Sequence, residues 1–251
     1  MRTDVDLLVV LSHLGHEEDK DLADAVSGID LIIGGHSHTY VNPPVKIDST
    51  YVTQAHRYGT QVGLLKLTVD TDKNSVTQFS SRLIPAASLP LPDPVVLDRV
   101  NFFEEQVEDL VDMEITRSSR KMSASEIQAM FEKVLSHTAK ADFGYYNSGG
   151  IRDSIPAGSI TARHIWNIEP FANSLVTLKI KGSDYLKLLK RERESHPSTK
   201  SISTEKTYLV ATNSFIGAHA VKAFGTAVHM NDLGILVRDV VIEHIKNNGL
   251  E

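Results

Sequence analysis

Three histidines near the N-terminus have the residue type and spacing of metal ligands. His13 follows an apolar run, and His36 and His38 alternate in a His-Ser-His string after two glycines. Neutral imidazole is a common ligand for zinc, manganese, iron and nickel. If that loop is extended, alternate side chains project the same way and could each face one metal of a close pair. The spacing predicts a cluster of metal-binding histidines. The alternative is that they are three polar loop residues that share no site.

A glycine turn in the C-terminal half has the features of a phosphate-binding segment. Gly149 and Gly150 would let the backbone pass close to a ligand, and Arg152 follows two residues later. A guanidinium is suited to bidentate contact with phosphate. The alternative is an ordinary turn followed by an arginine in a salt bridge.

Two phenylalanines and an asparagine extend this pattern towards a base. Phe171 and Phe215 could cover the two faces of a base, and the amide of Asn173 could hydrogen-bond to its edge. Each phenylalanine alone is more typical of a core residue. As a spaced set with the glycine turn, they predict a nucleotide pocket.

Composition excludes several other functions. The net charge of −6 argues against a general nucleic-acid surface. The sequence has no cysteine, which rules out disulfides and thiolate metal sites within it. No apolar run approaches the roughly 20 residues that span a membrane.

The elements that carry the histidines are predicted to follow one another as strand, helix and strand, at residues 5–12, 19–27 and 29–33. Loops at the carboxyl ends of such strands are where α/β sheets bind ligands. Apolar and polar side chains alternate over residues 61–70, which predicts a strand, and residues 77–83 are its predicted hairpin partner.

A proline-rich stretch over residues 85–94 predicts a linker, followed by a helix that Asp93 caps. The string Ser123-x-x-Glu126 predicts a capping box at the start of the next helix. The later predictions are a strand at 142–147, a strand at 175–181, a helix from Gly182, a strand at 208–212, and a helix from about Asp232 to Asn247 that ends before Gly249.

The histidine strings resemble the end of a calcineurin-like metallophosphoesterase domain, most closely its 5′-nucleotidase branch. Residues 10–15 and 28–39 carry this resemblance. It implies that His13 and His36 bind one divalent ion, zinc, manganese or similar, and His38 the other. The family's upstream Asp-x-His, Gly-Asp and Gly-Asn-His segments do not occur in the sequence. We therefore expect no retained catalytic residue, weak binding of one ion at most, and a truncated or degenerate form of the enzyme.

The second half resembles the C-terminal domain of 5′-nucleotidases at residues 147–152 and 170–175. The resemblance implies that Arg152 contacts phosphate, that the two phenylalanines clamp the base, and that Asn173 bonds it.

Other residues match the family less completely. Arg117 matches one of two further family arginines in spacing, and the other position falls at Lys121, beside Arg120. Val221 occupies the position of the family's ribose-binding carboxylate, which leaves ribose recognition open, with His219 as one candidate.

The resemblance implies an α+β chain of three parts. These are a partial metallophosphoesterase β-sandwich at 1–87, a linker and hinge helix at 88–112, and a mixed α/β nucleotide-binding domain at 113–251.

The implied activity is metal-dependent hydrolysis of nucleotide phosphoesters. A non-catalytic nucleotide-binding module, and a 2′,3′-cyclic phosphodiesterase or nucleotide-sugar hydrolase, are the alternatives. Open strand edges over 5–70 predict that this part pairs with a second copy, is covered by another element or is poorly ordered. The resemblance also implies export to the periplasm or cell surface, with a signal peptide upstream of Met1.

Overall fold

The computed structural model describes residues 4–191, 202–224 and 228–250. The chain divides into two compact units, Met1–Pro94 and Val95–Glu251. Both units combine helices with strands, so the predicted α+β class is confirmed. None of the helices in the described ranges is long and apolar enough to cross a membrane.

The first unit contains a small, mostly parallel sheet. Its strands, numbered in chain order, are β1 (Val9–Leu11), β2 (Leu31–Ile33), β3 (Val45–Ile47) and β4 (Thr50–Thr53). They lie in the order β1-β2-β4-β3, and only β3 runs antiparallel to its neighbour. The helix α1 (His16–Ala25) connects β1 to β2, which confirms the predicted β-α-β order. The strands β3 and β4 were not predicted.

Two boundaries in this unit differ from the prediction. Pairing begins at Val9 rather than at residue 5, because the backbone N–H of Leu8 donates to the Asp30 side chain instead of to a strand. The helix begins at His16 rather than at residue 19, and its first turn contains acidic residues that favour a helix N-terminus. The predicted hairpin is confirmed as β5 (Gln61–Asp70) paired with β6 (Ser75–Pro85).

The second unit is built on a four-stranded sheet with helices on both sides. Its elements are α2 (Pro94–Val111), β7 (Glu114–Ser118), α3 (Ala124–Ala139), β8 (Phe143–Gly144), β9 (Gly158–Thr161), α4 (Ala162–Ile168), β10 (Ser174–Lys181), α5 (Gly182–Arg191), β11 (Thr207–Asn213), α6 (Ser214–Phe224), β12 (His229–Leu236) and α7 (Val237–Asn248). The sheet order is β12-β10-β11-β8, while β7 and β9 form a separate pair.

Successive side chains of the central strands point to opposite faces of this sheet, so each face has its own hydrophobic core. Leu175 and Ala211 pack with the buried residues of α3, α4 and α7. Ile180 and Val210 pack with those of α5 and α6. The capping box at α3 is confirmed, since the backbone N–H of Ser123 donates to the Glu126 carboxylate at 2.8 Å.

The last helix was predicted about five residues too early. Residues from His229 to Leu236 form an edge strand against β10, and α7 begins only at Val237. Most side chains of β12 are exposed and several are polar, so the strand lacks the alternation that a half-buried strand usually has. The strand predicted at 142–147 is confined to β8, and β9 and α4 were not predicted.

Candidate functional site

The predicted histidine cluster is only partly assembled. The rings of His13 and His36 meet edge to face, with centroids 5.2 Å apart. The ring of His38 instead contacts Tyr58, with centroids 5.4 Å apart. The expectation of an extended loop is wrong, because His36 and His38 have φ values of 68° and 57°. The left-handed backbone turns the loop, so that alternate side chains do not follow strand geometry.

Neighbouring side chains leave no room for a Cβ atom at either of the two glycines before His36. A Cβ at Gly35 would lie 2.9 Å from the His13 Nδ1 atom, and a Cβ at Gly34 would overlap the Asp19 carboxylate. Asp19 is fully buried, and among the described residues neither of its oxygens has a hydrogen-bond partner. Sequence reasoning missed Asp19, although an acidic residue on the same helix face as the buried Ala23 was a signal.

These residues do not fit the metal site that the family resemblance implies. Within the described ranges, no three histidine, aspartate or glutamate side chains are grouped so that they could hold an ion. His13 and His36 therefore provide at most two neighbouring donors, whereas established structural and catalytic zinc sites have four or three protein ligands.

The glycine turn of the second unit brings Arg152 onto Phe171. The guanidinium carbon of Arg152 lies 5.6 Å from the centroid of the Phe171 ring. Its Nη1 atom donates to the carbonyl oxygen of Gly149 at 3.3 Å. The Arg152 backbone N–H donates to the carbonyl oxygen of Ile168 at 3.0 Å, which joins the turn to the end of α4. Phe171 is 52% exposed, so its ring is available to a ligand.

Asn173 is linked directly to the start of α6, where Phe215 lies. The Ser214 hydroxyl donates to Asn173 Oδ1 at 3.3 Å and accepts from the backbone N–H of Ser174 at 3.2 Å. Phe215 follows Ser214 and is 50% exposed. Its ring lies 4.1 Å from the His219 ring, centroid to centroid. Asn173 and Phe215 therefore lie at the same end of the sheet.

A second bond joins the glycine turn to this end of the sheet. Asn213 is almost fully buried, and its Nδ2 atom donates to Asn147 Oδ1 at 2.9 Å. Asn213 Oδ1 accepts from the backbone N–H of Ile216 at 2.8 Å and so fixes the first turn of α6. Three separate segments of the chain, which carry Arg152, Phe171 with Asn173, and Phe215, are thereby connected.

The two glycines of the turn have different surroundings. A Cβ at Gly150 would lie 2.6 Å from the ring of the buried Tyr146. A Cβ at Gly149 would meet nothing closer than the Asn147 side chain at 3.8 Å, and Gly149 is exposed. Gly150 is therefore required for packing, whereas Gly149 leaves open space at the surface.

The predicted additional arginines have protein partners. Arg117 forms an ion pair with Glu114 at 3.0 Å and lines an open groove of about 380 Å³ beside the end of α7. Arg120 pairs with Glu126 at 2.6 Å. The Arg120 guanidinium, followed by the bonds from Ser123, lowers the pKa of the Glu126 carboxyl to about 2. Val221 lies in α6, and its side chain is outside the described residues.

Sequence reasoning also missed Glu169, the residue before Pro170. Glu169 is fully buried at the end of α4, and its Oε1 atom accepts from Asn173 Nδ2 at 2.7 Å. Burial, together with the negative charge of Glu169, raises the pKa of the Tyr146 hydroxyl. A charged residue directly after an apolar helical turn was the only signal in the sequence.

Comparison with known proteins relates the chain to one family. Residues 105–203 match the family described as 5′-nucleotidase, C-terminal domain. The trifunctional nucleotide phosphoesterase protein YfkN of Bacillus subtilis is 28% identical over 98% of this chain and 20% of its own length. A 5′-nucleotidase of Vibrio vulnificus is 26% identical over 73% of this chain and 43% of its own length. The chain thus spans less than half of these relatives.

A solved structure supports the fold. The 5′-nucleotidase precursor of Thermus thermophilus superposes with a TM-score of 0.78 at 23% identity, over 98% of this chain and 62% of that chain. At this identity the likeness establishes the fold alone. The sequence relatives confirm the resemblance to the 5′-nucleotidase family, and residues 105–203 carry the match to its C-terminal domain.

Proposed function

We propose that the second unit of this chain binds a nucleotide for a protein that hydrolyses nucleotide phosphoesters. The observation that carries the proposal is the hydrogen-bonded connection of the segments bearing Arg152, Phe171, Asn173 and Phe215. In this proposal Arg152 binds phosphate, the two exposed phenylalanine rings hold the base, and Asn173 reads its edge. The family relationship and the names of the relatives support the same assignment.

We propose that Arg117 also contributes to this site. Its guanidinium is exposed and could exchange Glu114 for a phosphate, because exposed ion pairs are weak. Gly149 is proposed to allow close approach of the ligand to the backbone, while Gly150 supports the turn from below.

Hydrolysis by the family requires divalent metal chemistry, and we assign no catalytic residue in this chain. We propose that His13 and His36 bind a zinc or manganese ion weakly, because two imidazoles leave most of the coordination shell to water. His38 is proposed as a ligand only after a change in its loop, since its ring now contacts Tyr58.

A nucleotide-binding module without hydrolysis is the second candidate. The incomplete set of metal donors among the described residues favours it. Calorimetric titration with AMP, together with phosphate release under Mn²⁺ or Zn²⁺, distinguishes the two functions. Turnover that a chelator abolishes supports the hydrolase, and binding without turnover supports the module. A chain that neither binds nor hydrolyses AMP contradicts both.

We also propose that two copies of the first unit associate. The strand β1 stands at the end of its sheet, with Leu11 85% and Val9 42% exposed. Apolar edge strands favour pairing with another chain. A monomeric mass in light scattering at high protein concentration would contradict association.

Export to the periplasm or cell surface stays a prediction from the family resemblance, which protein fractionation of the source cells would test.

A further inference from the structure

A closed set of buried and half-buried polar side chains connects the segments that carry the proposed binding residues. We name it the polar ring, and its members are Tyr146, Asn147, Glu169, Asn173, Asn213 and Ser214. Hydrogen bonds connect Glu169 to Asn173 at 2.7 Å, Asn173 to Ser214 at 3.3 Å, and Asn213 to Asn147 at 2.9 Å. Backbone continuity from 146 to 147 and from 213 to 214 completes two sides.

The sixth and last side of the polar ring, between Glu169 and Tyr146, is electrostatic. The Glu169 Oε2 atom and the Tyr146 hydroxyl are both buried without a hydrogen-bond partner among the described residues. The negative charge of Glu169 nevertheless raises the pKa of Tyr146, in addition to the larger effect of burial. Tyr146 therefore keeps its proton, and its hydroxyl remains a hydrogen-bond donor.

Burial of Glu169 is energetically unfavourable for the end of α4. The side chain is 0% exposed and has no cationic partner within hydrogen-bonding distance among the described residues. A buried carboxylate with one unmatched oxygen loses more hydration than one neutral donor restores. An apolar residue would cover α4 at lower cost. Packing therefore does not account for a glutamate at this position, whereas its bond to Asn173 does.

This bond determines the orientation of the Asn173 amide. Nδ2 donates to Glu169 Oε1 and Oδ1 accepts from the Ser214 hydroxyl, so the two ends of the amide have different partners. Rotating the amide by 180° would set Oδ1 against the Glu169 oxygen and remove the acceptor for the Ser214 hydroxyl. Nδ2 keeps a second N–H and Oδ1 a second lone pair, so one donor and one acceptor remain in a fixed order.

We propose that Glu169 is a positioning residue that locks the Asn173 amide and makes the pocket prefer adenine to 6-oxopurines. The inference rests on the proposed function. Adenine presents a donor at N6 beside an acceptor at N7, which an asparagine amide matches with two hydrogen bonds. A 6-oxopurine presents two acceptors on the same edge, and a locked amide cannot turn to meet them.

The test compares the dissociation constants of AMP and IMP by calorimetry in the full chain. The wild type is expected to bind AMP about tenfold more tightly than IMP. Glu169→Leu should bring the ratio towards one, and Glu169→Gln should restore it, because the glutamine oxygen still accepts from Asn173. Ser123→Ala weakens the cap of α3 and is not part of the polar ring. Its ratio of AMP to IMP dissociation constants should match that of the wild type.

A second measurement needs only the wild-type chain and one assignment variant. The side-chain amide protons of Asn173, identified in the NMR spectrum by their absence in Asn173→Ser, should exchange slowly with solvent. Fast exchange would overturn the locked amide even if Glu169→Leu does not fold. Nucleotide binding with an unchanged AMP-to-IMP ratio in Glu169→Leu would overturn the positioning role. A wild type that binds no nucleotide would overturn the proposed function and the adenine preference, while the exchange rate still decides the locking.

Discussion

At the scale of single residues, the sequence pointed to Arg152 and Phe171 but not to the buried side chains next to them. Arg152 and Phe171 are chemically conspicuous, and the structure brings them together. Glu169 and Tyr146 were not predicted, because each is an ordinary residue until folding brings distant segments into contact. Their importance depends on burial, which a single acidic or aromatic residue does not indicate by itself.

The charge of Arg152 should matter only for the phosphate end of a ligand. Arg152→Ala should weaken AMP binding about tenfold or more, because a charge-assisted hydrogen bond contributes about 1.5–3 kcal/mol. Adenosine binding should change much less. Arg82→Ala, at an exposed position of β6, is the matched control and should bind AMP normally. Equal losses for AMP and adenosine in titration calorimetry would argue against a phosphate contact.

The two glycines of the turn should respond differently to alanine. Gly150→Ala places a methyl group 2.6 Å from the Tyr146 ring and should lower the unfolding free energy by about 1–3 kcal/mol. Gly149→Ala has open space and should unfold like the wild type. Urea titrations of both variants measure the difference. Equal stabilities would mean that the turn is not packed on Tyr146 as described.

At the scale of elements, patterns with a local cause were predicted correctly. The β5–β6 hairpin follows from alternation, and the α3 cap follows from Ser123 and Glu126. The strand β12 was missed, because an edge strand takes its hydrogen bonds from β10 and does not need an alternating sequence. The pairing of β8 with β11 likewise depends on a distant partner.

The cap of α3 should stabilise the fold in a pH-dependent way. The pKa of Glu126 is lowered from 4.5 to about 2, chiefly by Arg120, so its contribution is complete above the ordinary value and is lost as the pH falls through about 2. Glu126→Gln keeps the capping bond but removes the charge. Its melting temperature should lie below that of the wild type at pH 7, and the gap should close towards pH 2. A difference in melting temperature that does not change with pH would contradict this role of the Glu126 charge. Glu105→Gln, on the exposed surface of α2, is the control.

At the scale of the whole molecule, the two units have unequal cores. Among the described residues, the buried clusters of the second unit are formed by residues of that unit and include Phe131, Tyr146 and Tyr185. The buried cluster described in the first unit is smaller and contains Ala23, Ile29, Ile32 and Val52. Stability rises with buried apolar area, so the first unit should be the less stable one.

A chain reduced to residues 95–251 should therefore fold by itself. Its melting transition, followed by circular dichroism, should match the higher transition of the full chain, and its amides should show the same protection. The amides of residues 9–53 in the full chain should exchange faster. A shortened chain without a cooperative transition would show that the second unit depends on the first.

The central claim is that Phe171 and Phe215 face one base within a single pocket. Intermolecular NOE measurements on the AMP complex test it most directly, with the two rings assigned through Phe171→Leu and Phe215→Leu. Cross-peaks from the adenine H2 or H8 protons to both rings are the expected result. Saturating AMP that gives cross-peaks to neither ring, or to one ring alone, would contradict it.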